Sequence, residues 1–322
     1  MDSIGKWIAE AAGIGEADWR RQTMKVLNDP LVAAWIAAHP RLGRETLEKN
    51  VTRLYQYAKE AKACANCPGL DRCPNDLPGH YTKLVVTGGA EPGDPAAAPA
   101  SIADYKVPCG LQRAKESQDA VRARIRSFYV DEKALRQEYS PEEIVSRDKR
   151  RAAAVEKVIR YVLRTRDEGL QPIGLYLQGD FGTGKTFLAS YMLYELAKSG
   201  YTGVIVYMPD FVEDLKSMFG DSQRIKETIE LLKETDVLVF DDIGAEHLNA
   251  WARDHVLGTI LNYRMNRKPT CYTSNHDLDG LQRHLSFTAR EGEDEYRGQR
   301  LMDRIRPFVE VIEVAGRNQR GA

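Results

Sequence analysis

The chain has 322 residues, 43% of them hydrophobic, which suffices for two globular units on a prior of about 150 residues each. Lys plus Arg number 46 and Asp plus Glu 47, so the formal charge of −1 excludes a global electrostatic pull toward nucleic acid or anionic lipid, and any basic surface must be local. No run of 18 apolar residues occurs and the opening residues lack a basic stretch followed by an apolar core, so the expectation is a cytoplasmic protein with no membrane span.

The first third reads as helical. Trp19, Leu27, Leu31 and Trp35 give "DWRRQTMKVLNDPLVAAWIAAHP" an apolar side, and Leu47, Val51, Leu54 and Ala58 recur at spacings of three and four in the next segment. Such stripes ordinarily face a core. Next comes "CANCPGLDRCPNDLPGH", residues 64 to 80, and later "YKVPCG". Cys64 and Cys67 form C-x₂-C, the tight turn that places two thiolates on one tetrahedral Zn²⁺, and Cys73, Cys109 and His80 compete for the two remaining positions. In a reducing compartment, metal binding is a better reading of these cysteines than disulfides. A site filled entirely by protein ligands is structural, so the zinc is expected to fold a small docking domain. A dense basic and aromatic face is missing from this region, which ranks protein docking above nucleic-acid reading. Cys271 stands apart in an apolar run, as a small core residue would.

The Gly, Pro and Ala-rich stretch at 87–99 reads as a mobile loop. From about 113 to 140 the composition turns strongly charged, which suggests a hinge or helical connector and gives an N-terminal domain at 1–112 and a second domain at 141–322. From residue 172 short apolar runs alternate with helical patterns, and near-continuous apolar strands of this kind predict a parallel sheet covered on both faces.

Four motifs occupy this second domain. "GDFGTGKT" (Gly179, Asp180, Phe181, Gly182, Thr183, Gly184, Lys185, Thr186) follows an apolar strand and precedes a helical pattern. In that context its glycines let backbone N–H groups curl around a β-phosphate, Lys185 offers charge to the β/γ oxygens, and Thr186 offers a hydroxyl to Mg²⁺. "VLVFDDIG" delivers Asp241 for the metal and Asp242 for the attacking water to the carboxyl edge of the sheet. "TCYTSN" ends in Asn275, a polar amide able to sense the γ-phosphate. "YRGQRLMDRIRP" carries Arg297, Arg300, Arg304 and Arg306, whose guanidinium geometry suits the charge developing in phosphoryl transfer.

These four pieces, in this order, resemble the AAA+ ATPases. More narrowly, "VFDDIGAE" together with "RLMDRIR" resembles the bacterial replicative helicase loaders of the DnaC and DnaI type, and the cysteine cluster ahead of the ATPase motifs is similar to the DnaI branch. The resemblance implies an α/β fold, an AAA+ P-loop NTPase domain without a lid, preceded by a small helical zinc-binding domain. It makes Lys185 and Thr186 the Walker A pair, Asp241 and Asp242 the Walker B pair, Asn275 sensor 1, and Arg304 the trans-acting arginine finger with Arg300 next in line. It also implies ATP, Mg²⁺ and structural Zn²⁺ as cofactors. As partners it implies the hexameric replicative DNA helicase, single-stranded DNA and other primosome proteins, with ATPase domains self-associating on the helicase.

Two departures from the broad AAA+ pattern bear on chemistry. Asp242 replaces the usual Glu and is one methylene shorter, so turnover is expected to be slow, with Glu246 a rival base. Only 18 residues follow Arg304, too few for a helical lid, which leaves Arg317 as a guess for a second sensor. The basic run "RDKRR" at 147–151 is the densest in the chain and serves a DNA contact or a solvated helix face equally well. A transposition helper ATPase of the insertion-sequence type, or a nucleotide-sensing adaptor without useful turnover, are the competing functions.

Overall fold

Asp29 and Pro30 start a well-capped helix: the Asp29 carboxylate accepts from Leu31 N–H and Pro30 occupies the first turn, where its missing donor costs nothing. In this computed structural model, residues 16–88, 100–128, 145, 148–218, 221–288 and 292–318 are described. Most of the stretch at 87–99, the part of the expected connector beyond residue 128, and Arg147 of the basic run lie outside them. The chain divides into two units, 1–118 and 119–322.

The first unit contains α1 (Glu16–Leu27), α2 (Pro30–Ala37), α3 (Arg44–Lys49), α4 (Val51–Ala65) and an antiparallel hairpin, β1 (His80–Thr87) with β2 (Ser101–Pro108). Leu47, Leu54 and Ala58 of the anticipated stripe do face a core, together with Val32, Leu42, Leu84 and Ile102. On α2 the fully buried position is Val32, one residue past the expected Leu31. A buried carboxylate ties α4 to the hairpin: Glu60, 1% exposed, accepts from Thr82 N (2.6 Å), Thr82 Oγ1 (2.7 Å) and Gln56 Nε2 (2.8 Å) and pairs with Lys106. Burial pushes its pKa up, but these donors outweigh it and hold the carboxyl below the ordinary Glu value.

After α5 (Gly110–Ala123) comes β3 (Ile125–Phe128), then α6 (Ala152–Glu168), β4 (Gly174–Gln178), α7 (Lys185–Lys198), β5 (Gly203–Tyr207), α8 (Met208–Ser217), α9 (Ser222–Glu234) and β6 (Val237–Asp241). A π-helical turn at Ala252–Leu257 leads into α10 (Gly258–Arg264), followed by β7 (Thr270–Ser274) and α11 (Leu278–Ser286). The small antiparallel pair β8 (Phe287–Thr288) and β9 (Gly292–Glu293) precedes α12 (Glu295–Met302), and β10 (Val309–Glu313) comes last.

The six-stranded sheet runs β10-β4-β7-β6-β5-β3 and every pairing in it is parallel. Alternate strand residues feed opposite cores. Leu175, Leu177, Ile205, Val237, Val239 and Cys271 pack with α6 and α7, whereas Tyr176, Val204, Val206, Leu238, Phe240 and Tyr272 pack with α8 and α10 to α12. The predicted covered parallel sheet is therefore present, and Cys271 is the core residue expected. Within and just before the region read as a connector, residues 110–123 form the helix α5, and β3 adds an edge strand against β5. "IRSF" is four residues long with Arg126 inside it and presents no apolar run, so its strand depends on pairing with Gly203–Val206. No helix among the described residues is long and apolar enough to cross a membrane.

One buried cation organises the amino ends of the central strands β6 and β7. Arg264, 1% exposed, donates to the carbonyls of Leu232, Lys233, Thr235, Asp236 and Pro269 and to Thr270 Oγ1 over 2.6–3.1 Å. Burial lowers its pKa to about 10, still charged at neutral pH. Arg264→Met, which keeps the bulk and orphans these acceptors, is expected to lower unfolding free energy by about 3–5 kcal/mol in urea titration.

Candidate nucleotide site

Strands β4, β7 and β6 are neighbours, with Gln178 beside Ser274 and Phe240 beside Tyr272, so the segments leaving their carboxyl ends meet at one place. The phosphate loop leaves β4, Asp241 ends β6, and Asn275 lies one residue past β7. Gly182 and Gly184 take φ values of 73° and 96°, in the left-handed region that a side chain disfavours, and Gly184 caps α7. The loop's N–H groups thus sit at a helix N-terminus, where partial positive charge gathers.

Lys185 turns back onto its own loop. Its ammonium donates to Gly179 O (2.8 Å), Asp180 O (2.8 Å) and Asn275 Oδ1 (2.7 Å), and the residue is 7% exposed. Asn275 in turn donates through Nδ2 to Asp242 Oδ1 at 3.1 Å. Asp241, 3% exposed, accepts from Thr186 Oγ1 (3.1 Å) and Thr273 Oγ1 (2.6 Å). Burial raises the Asp241 pKa above the ordinary Asp value, the two threonine hydroxyls partly offset this, and neighbouring Asp242 adds to it. Thr186 Oγ1 and Asp241 Oδ2 are hard oxygens in contact, a donor set that fits Mg²⁺. Asp242 has φ 56°, unusual for a residue with a Cβ, and its N–H is fixed by Thr273 Oγ1 at 2.9 Å.

The structure therefore brings together the loop, Lys185, Thr186, Asp241, Asp242 and Asn275. Thr273, which both orients Asp241 and pins Asp242, is a residue that sequence reasoning missed; a Thr near a strand end gives no signal alone. Glu246, the rival base, is 2% exposed and engaged elsewhere: Oε2 accepts from Gly244 N at 2.7 Å and Oε1 lies 3.3 Å from His284 Nε2.

Arg300 and Arg304 lie apart from this cluster. They line an open cavity of about 800 Å³ with Asp254, Asn262, Tyr296 and Arg297, none of which belongs to the phosphate loop. Arg297 is paired with Asp254 and Asp294, and Arg306 with Asp279. By contrast Arg304 meets neutral oxygens, Asn262 Oδ1 (3.3 Å) and Arg300 O (2.8 Å), and Arg300 lies over the Tyr296 ring at 5.9 Å.

The family model described as IstB-like ATP binding protein matches residues 171–321, and the one described as Primosomal protein DnaI N-terminus matches residues 1–90. The replicative helicase loader DnaI of Bacillus subtilis (strain 168) is 33% identical over 324 residues, which cover 99% of this chain and 99% of that protein. The chain belongs to the DnaI-type replicative helicase loaders. The crystal structure of a DnaI shares 34% identity with a TM-score of 0.50, covering 64% of this loader and 100% of that chain. Likeness to the replicative helicase loader DnaC of Escherichia coli (strain K12) is confined to 129 residues at 26% identity, 40% of this loader and 48% of DnaC. The α/β fold is accordingly the AAA+ P-loop type, and the loader binds ATP.

The N-terminal expectation fares differently. Cys64, Cys67, Cys73, Cys109 and His80 do line one cavity, of about 320 Å³, and Cys109 is brought there by its N–H bond to Gly79 O at 2.7 Å. Three thiols receive N–H donors: Cys64 from Asn75 Nδ2 (3.4 Å), Cys73 from Gly79 N (3.3 Å) and Cys109 from Gln112 N (3.4 Å). Even so, among the described residues no group of three or more His, Cys, Asp or Glu side chains is arranged to hold a metal ion. A zinc-binding domain is thus not shown by the geometry: the thiols surround a common space without closing to a ligand set.

The burial of Asp241 yields a stability prediction. With its folded pKa above the unfolded value, the ionised carboxylate opposes folding at neutral pH, and this group's contribution improves as pH falls through the raised pKa. Asp241→Asn should therefore raise the Tm of the nucleotide-free protein by about 2–4 °C, flatten that pH dependence, and abolish the extra Tm gain from adding Mg²⁺ to ATP. Differential scanning calorimetry with and without Mg²⁺ checks all three.

Proposed function

We propose that this loader binds the hexameric replicative helicase through its N-terminal unit and places it on single-stranded DNA during initiation or restart, with ATP as a timing switch. The observation that carries the reading is end-to-end similarity to a replicative helicase loader, 99% of both chains, instead of similarity in the ATPase half alone. A transposition role is supported only there: a putative ATP-binding protein of insertion sequence IS1162 from Pseudomonas fluorescens is 30% identical across 39% of this chain. The match to a DnaI N-terminus over residues 1–90 favours the loader.

On this reading Lys185 leaves Asn275 for the β/γ oxygens of ATP, and Thr186 with Asp241 would hold Mg²⁺, which would supply neutralising positive charge. Released from Lys185, Asn275 keeps its bond to Asp242 and steadies the attacking water. The Asp242 carboxylate takes the proton as the water oxygen bonds to the γ-phosphorus and the bond to the ADP oxygen breaks. With Glu246 committed to Gly244 N, Asp242 remains the base, and its short side chain keeps turnover slow. Arg304, with Arg300 second, reaches the γ-phosphate of a neighbouring subunit, since Arg297 and Arg306 are held by carboxylates. Cys64, Cys67, Cys73 and Cys109, with His80 as the alternative ligand, would hold a Zn²⁺ ion, whose bonds to the thiolates would stiffen the docking unit. The N–H donors already aimed at three of the thiols suit thiolates and support this assignment.

Native mass spectrometry of the loader with the replicative helicase of its own organism tests the function. Discrete helicase-plus-loader masses with ATP, lost on zinc chelation or in Cys109→Ser, are expected, and no complex with any nucleotide overturns the reading. Metal analysis should return one zinc per chain. In phosphate-release assays on the assembled complex, Asp242→Asn should stop turnover and Arg304→Ala should reduce it at least about tenfold with ATP affinity kept, while Arg297→Ala has a smaller effect.

A further inference from the structure

The three motif glycines of the phosphate loop are each covered on the side where a side chain would project. A Cβ at Gly179 would lie 2.5 Å from Val314 O, one at Gly182 only 1.9 Å from Asn318 Oδ1 and 3.2 Å from Asn318 Cα, and one at Gly184 3.3 Å from the Arg151 guanidinium. Two segments far apart in sequence supply this cover. One is the tail after β10, residues 314–318; the other is the 3₁₀ turn Lys149–Arg151 that precedes α6.

These segments are fastened to the loop and to each other. Val314 N donates to Gln178 O at 2.7 Å, which continues the β10–β4 pairing to the last residue before the loop. Asp148 caps the turn through Arg150 N (3.1 Å), binds the Arg150 guanidinium (2.9 Å) and accepts from Arg317 N (2.9 Å). The Arg150 side chain first, and the Arg317 N–H second, hold the Asp148 carboxyl far below the usual range. A Cβ at Gly316 would lie 3.2 Å from Arg151 Nε and 3.3 Å from Asp148 Oδ2, so tail and turn are in close contact. Arg151 itself is 5% exposed.

We propose that Arg151 and the tail, acting through Asn318, are positioning elements of the nucleotide site: a clasp that keeps the loop curled so that its N–H groups are ready for a polyphosphate. The physical need is specific to this loop. Three positive-φ or extended glycines make it soft, and Lys185 pulls two of its carbonyls inward. Bracing from outside lowers the ordering cost that binding would otherwise bear. Arg317 takes part through its backbone N–H. The inference rests on the ATP reading of the site.

Equilibrium titration of the full chain with ATP and with ADP tests it, comparing Asn318→Ala, Arg151→Gln, Arg151→Lys, a chain ending at Ala315, and Lys185→Ala. Residues 317 and 318 are exposed, so neither the shortened chain nor Asn318→Ala removes core, and both should keep the parent Tm without nucleotide. The shortened chain and Arg151→Gln should bind both nucleotides about tenfold more weakly or worse, Asn318→Ala severalfold, and Arg151→Lys should recover part of the loss. Amide exchange at 316–318 should slow when ATP is added. If the shortened chain and Asn318→Ala bind as the parent does while Lys185→Ala does not, the clasp is overturned and the nucleotide site stands. If Lys185→Ala also binds normally, the nucleotide site itself is overturned. Should Arg151→Gln fail to fold, the shortened chain and Asn318→Ala decide alone.

Discussion

The ammonium of Lys185 holds together the carboxyl edge of the sheet in the second unit. It is nearly buried, and it is satisfied by two carbonyls of its own loop and by Asn275 from the neighbouring strand. Asn275 leads on to Asp242, and Asp242 through its N–H to Thr273, which also holds Asp241. A buried cation and buried carboxylates at one sheet edge are tolerable only while every partner stays in place. The all-parallel order that sets β4, β7 and β6 side by side is what keeps them there.

That arrangement makes the site a set of substitutes. Thr186 and Thr273 give Asp241 the hydrogen bonds that a hydrated cation would give, and Asn275 gives Lys185 the negative end that a phosphate would give. Under the proposed function, entry of nucleotide would exchange these partners, and the free energy released in binding would be available to shift the strand ends and whatever is joined to them. The tail after β10 is joined directly, through Val314 to Gln178 and through Asn318 against Gly182.

The N-terminal unit solves a different problem. It is small, its core among the described residues is a cluster of seven buried apolar side chains, and its hairpin is tied to α4 by a buried Glu60 held by Thr82 and Lys106. An ion pair of that kind gives register more than stability. The register matters because His80 opposite Pro108 brings Cys109 to Gly79 and so closes the space shared with Cys64, Cys67 and Cys73.

Features that depend on neighbours along the chain are legible in the amino-acid order. The phosphate loop, the paired acids after an apolar strand and the alternation that makes a covered parallel sheet all keep their residues within a few positions, where motif and periodicity read them directly. The stripe at Leu47, Leu54 and Ala58 belongs to the same class. Features that depend on distance in space became visible only in the fold. Thr273 meets Asp241 across 32 residues, Arg317 meets Asp148 across 169, and Arg264 gathers the carbonyls of two segments. Strand β3 forms because β5 offers an open edge, and Val32 outranks Leu31 because α1 and α4, on which α2 packs, set which of its sides is inward. Among Arg297, Arg300, Arg304 and Arg306, identical in type and close in sequence, only the placement of Asp254, Asp279 and Asp294 distinguishes those held by a carboxylate from the other two. Hydrogen bonds and ion pairs act within a few ångströms, and no pattern along a chain records which distant groups folding will bring that close.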